Sequence, residues 1–183
     1  MARPFRRDTD RPSLARRLMR AREGSTAVEF AMVALPFFML LFAILEIGLI
    51  LLLDAVVETA VADTGRLVRT GQAQQQAMTP ELIKTKLCAK MSVFAGDCDT
   101  RAFIDVRVVD NFSNPLVPDP TASGTFDASS LSFTPGGPGD LVLVRIWYEQ
   151  PVATPFLSQA LSKMADGKVL LTTTLAFRNE PYQ

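Results

Sequence analysis

The sequence predicts an α+β fold, in which a long N-terminal helix packs on a small antiparallel sheet. Residues 30–53 form an uninterrupted apolar run, FAMVALPFFMLLFAILEIGLILLL, which is longer than a strand and typical of a helix. Three later segments, 102–110, 141–149 and 169–178, are short and rich in β-branched residues, as strands are. Because a striped helix and a half-buried sheet each need an apolar partner, we expect the two to form one layered domain.

The apolar run is predicted to cross a membrane and to stay as an anchor. At about 1.5 Å per residue it spans roughly 36 Å, enough for a hydrocarbon core of about 30 Å. Its one ionisable side chain is Glu46. A cleavable secretory signal has an apolar region of only ~7–15 residues and a small-residue cleavage site after it. Neither feature fits, so we assign residues 25–53 to a transmembrane helix.

Charge predicts the orientation of this helix. The net charge of the chain is zero, but arginines are concentrated in the first 24 residues: Arg3, Arg6, Arg7, Arg11, Arg16, Arg17, Arg20 and Arg22. Asp54 and Glu58 follow the apolar run. By the positive-inside rule, residues 1–24 form a basic cytoplasmic leader and the C-terminal part is exported. A nucleic-acid-binding arm is disfavoured, because the leader directly precedes an anchor and has Phe5 as its sole aromatic residue.

Beyond the anchor, residues 54–77 are predicted to continue the same helix as an amphipathic segment. They contain no proline, and small or apolar residues recur at steps of three and four: Val57, Val61, Thr64, Val68 and Gly71. We therefore expect one helix from about Ser25 to Gln76. Pro36 interrupts one backbone hydrogen bond, which a membrane helix tolerates.

Residues 78–183 are predicted to form the exported α+β domain. Thr79 and Pro80 are typical of a helix start, and this helix should run to about Met91. A turn around Gly96 then returns the chain toward it. Outside the cytoplasm two close cysteines usually form a disulfide, so Cys88 and Cys98 are predicted to pair and to tie this helix to the first strand. The alternative is two buried free thiols.

The rest of the domain contains the three strands, one long loop and one short helix. In the first strand, Ile104, Val106 and Val108 alternate with Phe103, Asp105 and Arg107, which predicts one buried and one more polar face. Residues 111–140 are rich in Pro, Ser, Gly and Asp, and predict a long loop that is functional or mobile. Between the last two strands, Thr154 and Pro155 predict a helix to about Met164.

The composition disfavours an enzyme. The chain has no histidine and two cysteines, so Ser-His pairs, Cys-His pairs and the usual zinc sites are absent. No phosphate-binding glycine motif occurs, since the glycines at 136–139 precede a strand. We predict no catalytic residue, no metal and no cofactor. A carboxylate pair or a Ser-Lys dyad stays open, because tertiary proximity is invisible in a sequence.

The junction between leader and anchor carries the most informative chemistry. It reads Gly24-Ser25-Thr26-Ala27-Val28-Glu29. A peptidase that cuts at the membrane surface is served by a residue without a side chain before the bond, and Gly24 supplies one. Ser25 would then carry a new α-amine, which can neutralise Glu29 of a neighbouring subunit stacked with an axial offset. The alternative is that Glu29 is only an interfacial charge.

Glu46 and Gly48 form a second constellation, deep in the apolar run. A carboxylate there is costly unless it is neutralised or paired. A protonated Glu46 that hydrogen-bonds to a neighbouring helix and a specific contact with a partner subunit both account for it. Gly48 would let another helix approach closely. We predict an intramembrane helix contact at these two residues.

The stretch GSTAVEFAMVALPFFMLLFAILEIG resembles the N-terminal signature of the TadE/TadF-like minor pilins (pseudopilins) of the tight-adherence (Tad) pilus. The resemblance covers about residues 20–72 and is carried by Gly24, Ala27-Val28-Glu29-Phe30, Leu35-Pro36, Glu46 with Gly48, and Ala62-Asp63-Thr64-Gly65-Arg66. After Glu58 the chain reads VADTGRLVRTG, where a more alanine-rich run is expected. The choice between TadE-like and TadF-like therefore stays open.

The resemblance implies cleavage by a prepilin peptidase between Gly24 and Ser25, and assembly in the inner membrane. It also implies a part in pilus initiation or at the tip, and so in surface adhesion. The implied partners are other pilins, the peptidase, the inner-membrane assembly platform and the lipid bilayer, with no nucleic acid. Two other readings stay open: an uncleaved, signal-anchored periplasmic binding or scaffold protein, and a membrane-tethered enzyme.

Overall fold

The computed structural model describes residues 24–113, 115, 117–162 and 164–182. Apart from Gly24, the predicted leader at residues 1–24 lies outside the described residues. The chain divides into two compact units, Met1–Phe42 and Ala43–Gln183. The described part of the first unit is helical from Ser25 onward, and the second unit contains every strand assigned in the described residues. The predicted α+β fold is confirmed.

The first element is helix α1, Ser25–Arg69, which contains Pro36. Among the described residues it is the one helix long and apolar enough to cross a membrane. The prediction that it continues to about Gln76 is wrong. Gly71 takes a φ of 79°, which is left-handed and ends the helix, and the four residues Gln72–Gln75 form a separate helical turn, α2.

One stripe of α1 is buried within the second unit. After Ala43, its members recur at steps of three and four, as the predicted amphipathic stripe requires: Leu53, Val57, Ala60, Val61, Thr64 and Val68. Asp54, Glu58 and Asp63 lie on the exposed side. From its first described residue to Phe42, by contrast, the first unit has no side chain classed as fully buried among those described.

Two short helices carry the cysteines. Helix α3, Pro80–Lys90, begins as predicted: the hydroxyl of Thr79 accepts a hydrogen bond from the backbone N–H of Leu82 at 3.3 Å. The predicted turn around Gly96 is wrong, because Gly96 lies inside helix α4, Ala95–Arg101. The chain reverses earlier, at Ser92, whose φ is 52°.

The sheet has three strands in sequential order: β1 (Ala102–Val108), β2 (Leu141–Gln150) and β3 (Val169–Arg178). Both pairings are antiparallel, as predicted. Helix α5, Pro155–Leu161, connects β2 to β3 and ends before the predicted Met164.

The core lies between α1 and one face of the sheet. Alternate residues of β2, which point to this face, are buried with the stripe of α1: Val142, Val144, Ile146 and Tyr148. Leu87 of α3 and Met91 belong to the same cluster. The main hydrophobic core of the second unit is therefore formed by the predicted packing of the helix on the sheet. Burial of apolar area in this core stabilises the fold by about 25 cal/mol per Å².

The opposite face of the sheet is partly covered by the described residues of the 111–140 loop. Phe126 packs between Phe103 and Trp147, with ring centroids 4.6 Å and 5.8 Å away. At the free edge of β1, Val106 donates its N–H to Ser132 at 2.8 Å. This loop is therefore part of the packed structure. The face that we predicted to be the more polar one contains Asp105, which is fully buried.

Candidate functional site

Gly24 and Ser25 lie at the start of α1. Gly24 is exposed, and a Cβ added to it would meet no atom of the described residues within 4 Å. The described part of the fold therefore does not require glycine here. Glu29 is exposed about one turn into α1.

The rest of the described first unit presents an apolar surface on all sides. Its exposed large residues are Val28, Phe30, Met32, Val33, Leu35, Phe37, Phe38, Met39, Leu40, Leu41 and Phe42. The rings of Phe37, Phe38 and Phe42 contact one another along the helix, at 5.3 Å and 6.3 Å between successive centroids. A helix that is apolar all round needs lipid or protein around it. The helix is long and apolar enough to cross a membrane.

Glu46 contacts the folded unit of its own chain. Its carboxylate accepts hydrogen bonds from the backbone N–H groups of Ala153 and Thr154, the latter at 2.9 Å. These donors lie just before α5. The sequence predicted a helix start at Thr154 but not this pairing, because nothing local connects residues so far apart in the chain.

Gly48 lies on α1 about half a turn from Glu46, and a Cβ there would meet no atom within 4 Å in the part of the chain that the structure describes. This side of the helix is open, as a contact with a second helix requires. The predicted intramembrane contact through Glu46 and Gly48 stays a prediction, and the contact between Glu46 and residues 153–154 adds an intrachain role to it.

Cys88 and Cys98 form the predicted disulfide, with Cα atoms 5.5 Å apart. It joins α3 to α4, and not to β1 as we predicted, because Cys98 lies on a helix that the sequence reading missed. Both residues belong to the main core cluster. The bond therefore holds two short helices against that core.

Asp105 is the centre of a buried charge cluster that the sequence reading missed. Its carboxylate contacts Arg107 and Arg145, each at 2.8 Å, and accepts the N–H of Ser132 at 2.7 Å. Arg107 also donates to the carbonyl of Ser130, and Arg145 donates to that of Pro118 at 2.9 Å. Because these donors bind loop carbonyls, the cluster fastens the 111–140 loop to the sheet.

Beside this cluster the sheet has an open groove of about 540 Å³, lined in part by Arg145, Trp147, Thr172 and Thr174. Arg145 lies over the Trp147 ring, 4.8 Å from its centroid. Asp119 also lines the groove, and the N–H and hydroxyl of Thr121 lower the pKa of its carboxyl. The described residues contain no group of three or more Cys, Asp or Glu placed to hold a metal ion. Asp105, Arg145 and Asp119 all form hydrogen bonds with residues of the 111–140 loop.

Comparison with known proteins finds a family match in the N-terminal part of the chain. Residues 24–66 match the family model described as TadE-like protein. No curated protein and no solved structure matches the chain. The matched residues include the junction at Gly24, Glu29, the apolar run, Glu46 and the start of the buried stripe. The resemblance seen in the sequence is thus confirmed for this segment: from Gly24 to Arg66 the chain is similar to TadE-like proteins.

Proposed function

We propose that this protein is a minor pilin of a Tad-type pilus, and that it acts in pilus initiation or at the tip, and so in surface adhesion. In this role it is a structural subunit and not an enzyme. The observation that carries the proposal is the TadE-like match over a helix whose described N-terminal part exposes apolar side chains all round. Such a helix serves first as a membrane anchor and then, after extraction, as a subunit-packing surface.

The proposed mechanism begins with cleavage by a prepilin peptidase after Gly24. The cut removes the arginine-rich leader and leaves Ser25 with a free, positively charged α-amine. Glu29 follows at the next turn of the helix. In stacked subunits the α-amine of one copy can pair with this carboxylate in another pilin. A carboxylate in apolar surroundings needs an oppositely charged partner. The pairing therefore favours the one axial offset between helices that brings the two groups together.

The folded unit supports a role outside the shaft. By the resemblance, the major subunits of this pilus type are little more than the helix. Here the second compact unit adds residues 43–183, with a three-stranded sheet and a covering loop. A domain of this size would crowd a thin shaft, whereas it suits an initiation complex or a tip.

The disulfide supports export of the folded unit. Disulfides persist in the periplasm and are rare in the cytoplasm. A Cys88–Cys98 bond in this unit agrees with the charge asymmetry around the anchor. The proposed arrangement is a single-pass inner-membrane protein with a cytoplasmic N-terminus and a periplasmic domain, which reaches the cell surface on assembly. Its proposed partners are other pilins, the prepilin peptidase, the assembly platform and the bilayer.

The N-terminus of the mature protein tests the proposal. Protein purified from membranes of piliated cells is sequenced from its N-terminus and weighed intact. We expect Ser25 as the first residue. If residues 1–24 are retained in piliated cells, the pilin assignment is wrong, and the uncleaved, signal-anchored binding or scaffold protein takes its place. The groove beside Trp147 would then be the first place to look for a ligand.

A further inference from the structure

A segment without charge connects β2 to the region after α5. Residues 151–162 read PVATPFLSQALS and contain no ionisable side chain, although charged residues make up 21% of the chain. The segment is not simply a buried connection. Phe156 and Leu161 are 43% and 41% exposed, while Leu157 between them is buried. Singly exposed apolar residues are common on proteins, but an uncharged edge that exposes two large ones is compatible with an apolar environment.

The contact with Glu46 sets where this edge lies along α1. Because Ala153 and Thr154 donate to the Glu46 carboxylate, the start of α5 lies at the level of Glu46. From there α1 still exposes large apolar residues: Ile47, Leu49, Leu51 and Leu52. The next ionisable residue is Asp54, which is exposed. At about 1.5 Å per residue, Asp54 is roughly 12 Å further along the helix axis.

A membrane that covers the outer side of α1 up to Leu52 therefore also reaches the level of α5. Interfacial segments settle about 5–10 Å into the boundary between headgroups and acyl chains. The offset of roughly 12 Å between Glu46 and Asp54 is of the same size, and tilt of α1 reduces it along the membrane normal. Glu46 tolerates this level because two backbone N–H groups bind its carboxylate.

We propose that residues 151–162 are a membrane-docking edge of the folded unit, with Phe156 and Leu161 inserted at the acyl boundary of the bilayer that α1 crosses. Glu46 then lies in the interfacial layer, where it fastens the edge to the helix. Lipid is the occupant that the structure favours, because the edge lies level with the apolar surface of α1 and carries no charge to select a protein partner. The proposal rests on membrane insertion of α1 but not on cleavage or pilus assembly.

Tryptophan fluorescence in liposomes tests this proposal. Trp147 is the single tryptophan, so a Trp147→Phe background is silent. The full, uncleaved chain is reconstituted in phosphatidylcholine–phosphatidylglycerol vesicles as the Phe156→Trp variant. Val93→Trp is the matched control, because Val93 is an apolar residue that is 83% exposed. The nearby Lys90 contacts Asp63 at 3.6 Å, which puts the control region about 25 Å along α1 from Glu46.

We expect lipids brominated on their acyl chains to quench the Phe156→Trp variant about threefold more strongly than the Val93→Trp variant, with blue-shifted emission. Equal, weak quenching in the two variants would overturn the proposal. A blue shift without quenching would also overturn it, because a protein neighbour would then cover the site. If Phe156→Trp does not form the Cys88–Cys98 disulfide, Leu161→Trp replaces it. No other pilus component is present, so this result and the identity of the mature N-terminus can fail independently.

Discussion

The Glu46 carboxylate accepts a 2.9 Å hydrogen bond from the backbone N–H of Thr154, a residue 108 positions further along the chain. Glu46 is also the single ionisable residue in the apolar run from residue 30 to 53. The charge that interrupts the membrane-type sequence is therefore a link between α1 and the folded unit. It ties the start of α5 to the helix at one level, which a leucine could not do.

Replacing Glu46 should loosen this link. Glu46→Leu leaves two backbone donors without their acceptor, at a cost of about 1 kcal/mol where water can partly replace it. Glu46→Gln keeps one acceptor oxygen and should cost less. Hydrogen exchange of the full chain in detergent should therefore show faster exchange at Ala153 and Thr154 in Glu46→Leu.

Glu58→Leu is the control for the loss of charge, since Glu58 lies on the exposed side of α1. It should leave exchange at residues 153 and 154 unchanged. We also expect Glu46→Gln to co-purify with partner pilins and Glu46→Leu to do so more weakly. If both variants co-purify normally while exchange still rises, the intrachain link is the whole role of Glu46.

Substitutions at Gly24 and Glu29 should differ in kind. Gly24→Leu should accumulate a precursor that retains the leader, because a side chain there obstructs the peptidase; it should not disturb the fold, since the position is open. Glu29→Ala should be cut normally but should not enter pilus complexes, because it cannot pair with a neighbouring α-amine. The intact mass of the protein detects the loss of cleavage, and co-purification with pilus complexes detects the loss of assembly.

Loss of piliation alone distinguishes nothing, since both variants should lose it. Gly24→Ala is the graded control: a methyl group should slow cleavage less than leucine does. Normal cleavage of Gly24→Leu would contradict the assignment of the processing site, and assembly of Glu29→Ala into pili would reduce Glu29 to an interfacial charge.

The disulfide should contribute about 2–3 kcal/mol to the free energy of unfolding, because it closes a ten-residue separation in the unfolded chain. Non-reducing peptide mapping of protein from the native envelope should recover Cys88 linked to Cys98. In urea unfolding, a Cys88→Ser/Cys98→Ser variant should have a free energy of unfolding that is lower by this amount. Reducing agent should lower the stability of the wild type alone, and free thiols in the native protein would contradict the bond.

Asp105 should be a large single contributor to stability among the charged residues of the sheet. Asp105→Ala leaves Arg107 and Arg145 without their carboxylate and should cost about 3–5 kcal/mol. Asp110→Ala, at an exposed position, is the control and should change the stability little. Proteolysis should cut Asp105→Ala first within the 111–140 loop, because the two arginines hold that loop through its carbonyl groups.

Gly71 should tolerate alanine poorly for two separable reasons. Its φ of 79° disfavours any side chain, and a Cβ would lie 2.3 Å from the Tyr182 ring. Gly124 has nearly the same φ, 78°, but open space around it. Gly124→Ala should therefore cost about 1–2 kcal/mol from the backbone alone, and Gly71→Ala more. In a double-mutant cycle with Tyr182→Ala, the excess at Gly71 should shrink.

Local pattern was sufficient for much of the fold. The apolar run, the stripe through Val57 and Val61, the helix start at Thr79 and the alternation in β1 all predicted elements that the structure contains. The end of α1 was misplaced because the predicted stripe included Gly71, which instead takes a left-handed φ beneath Tyr182 near the other end of the chain. The helix around Gly96 was missed, because glycine is common in turns.

Residues close together in the chain were enough to predict the apolar membrane-type helix, its orientation, the cysteine pair and the TadE-like junction. The partners of Glu46 and Asp105 became visible in the three-dimensional fold. A carboxylate in an apolar run or on a buried strand needs a partner. The residue type does not show whether that partner is 2 or 108 residues away in the chain. The sequence therefore predicted a contact of Glu46 with another helix and placed Asp105 on the more polar face of its strand, whereas folding brings Thr154 and Arg145 to these two carboxylates.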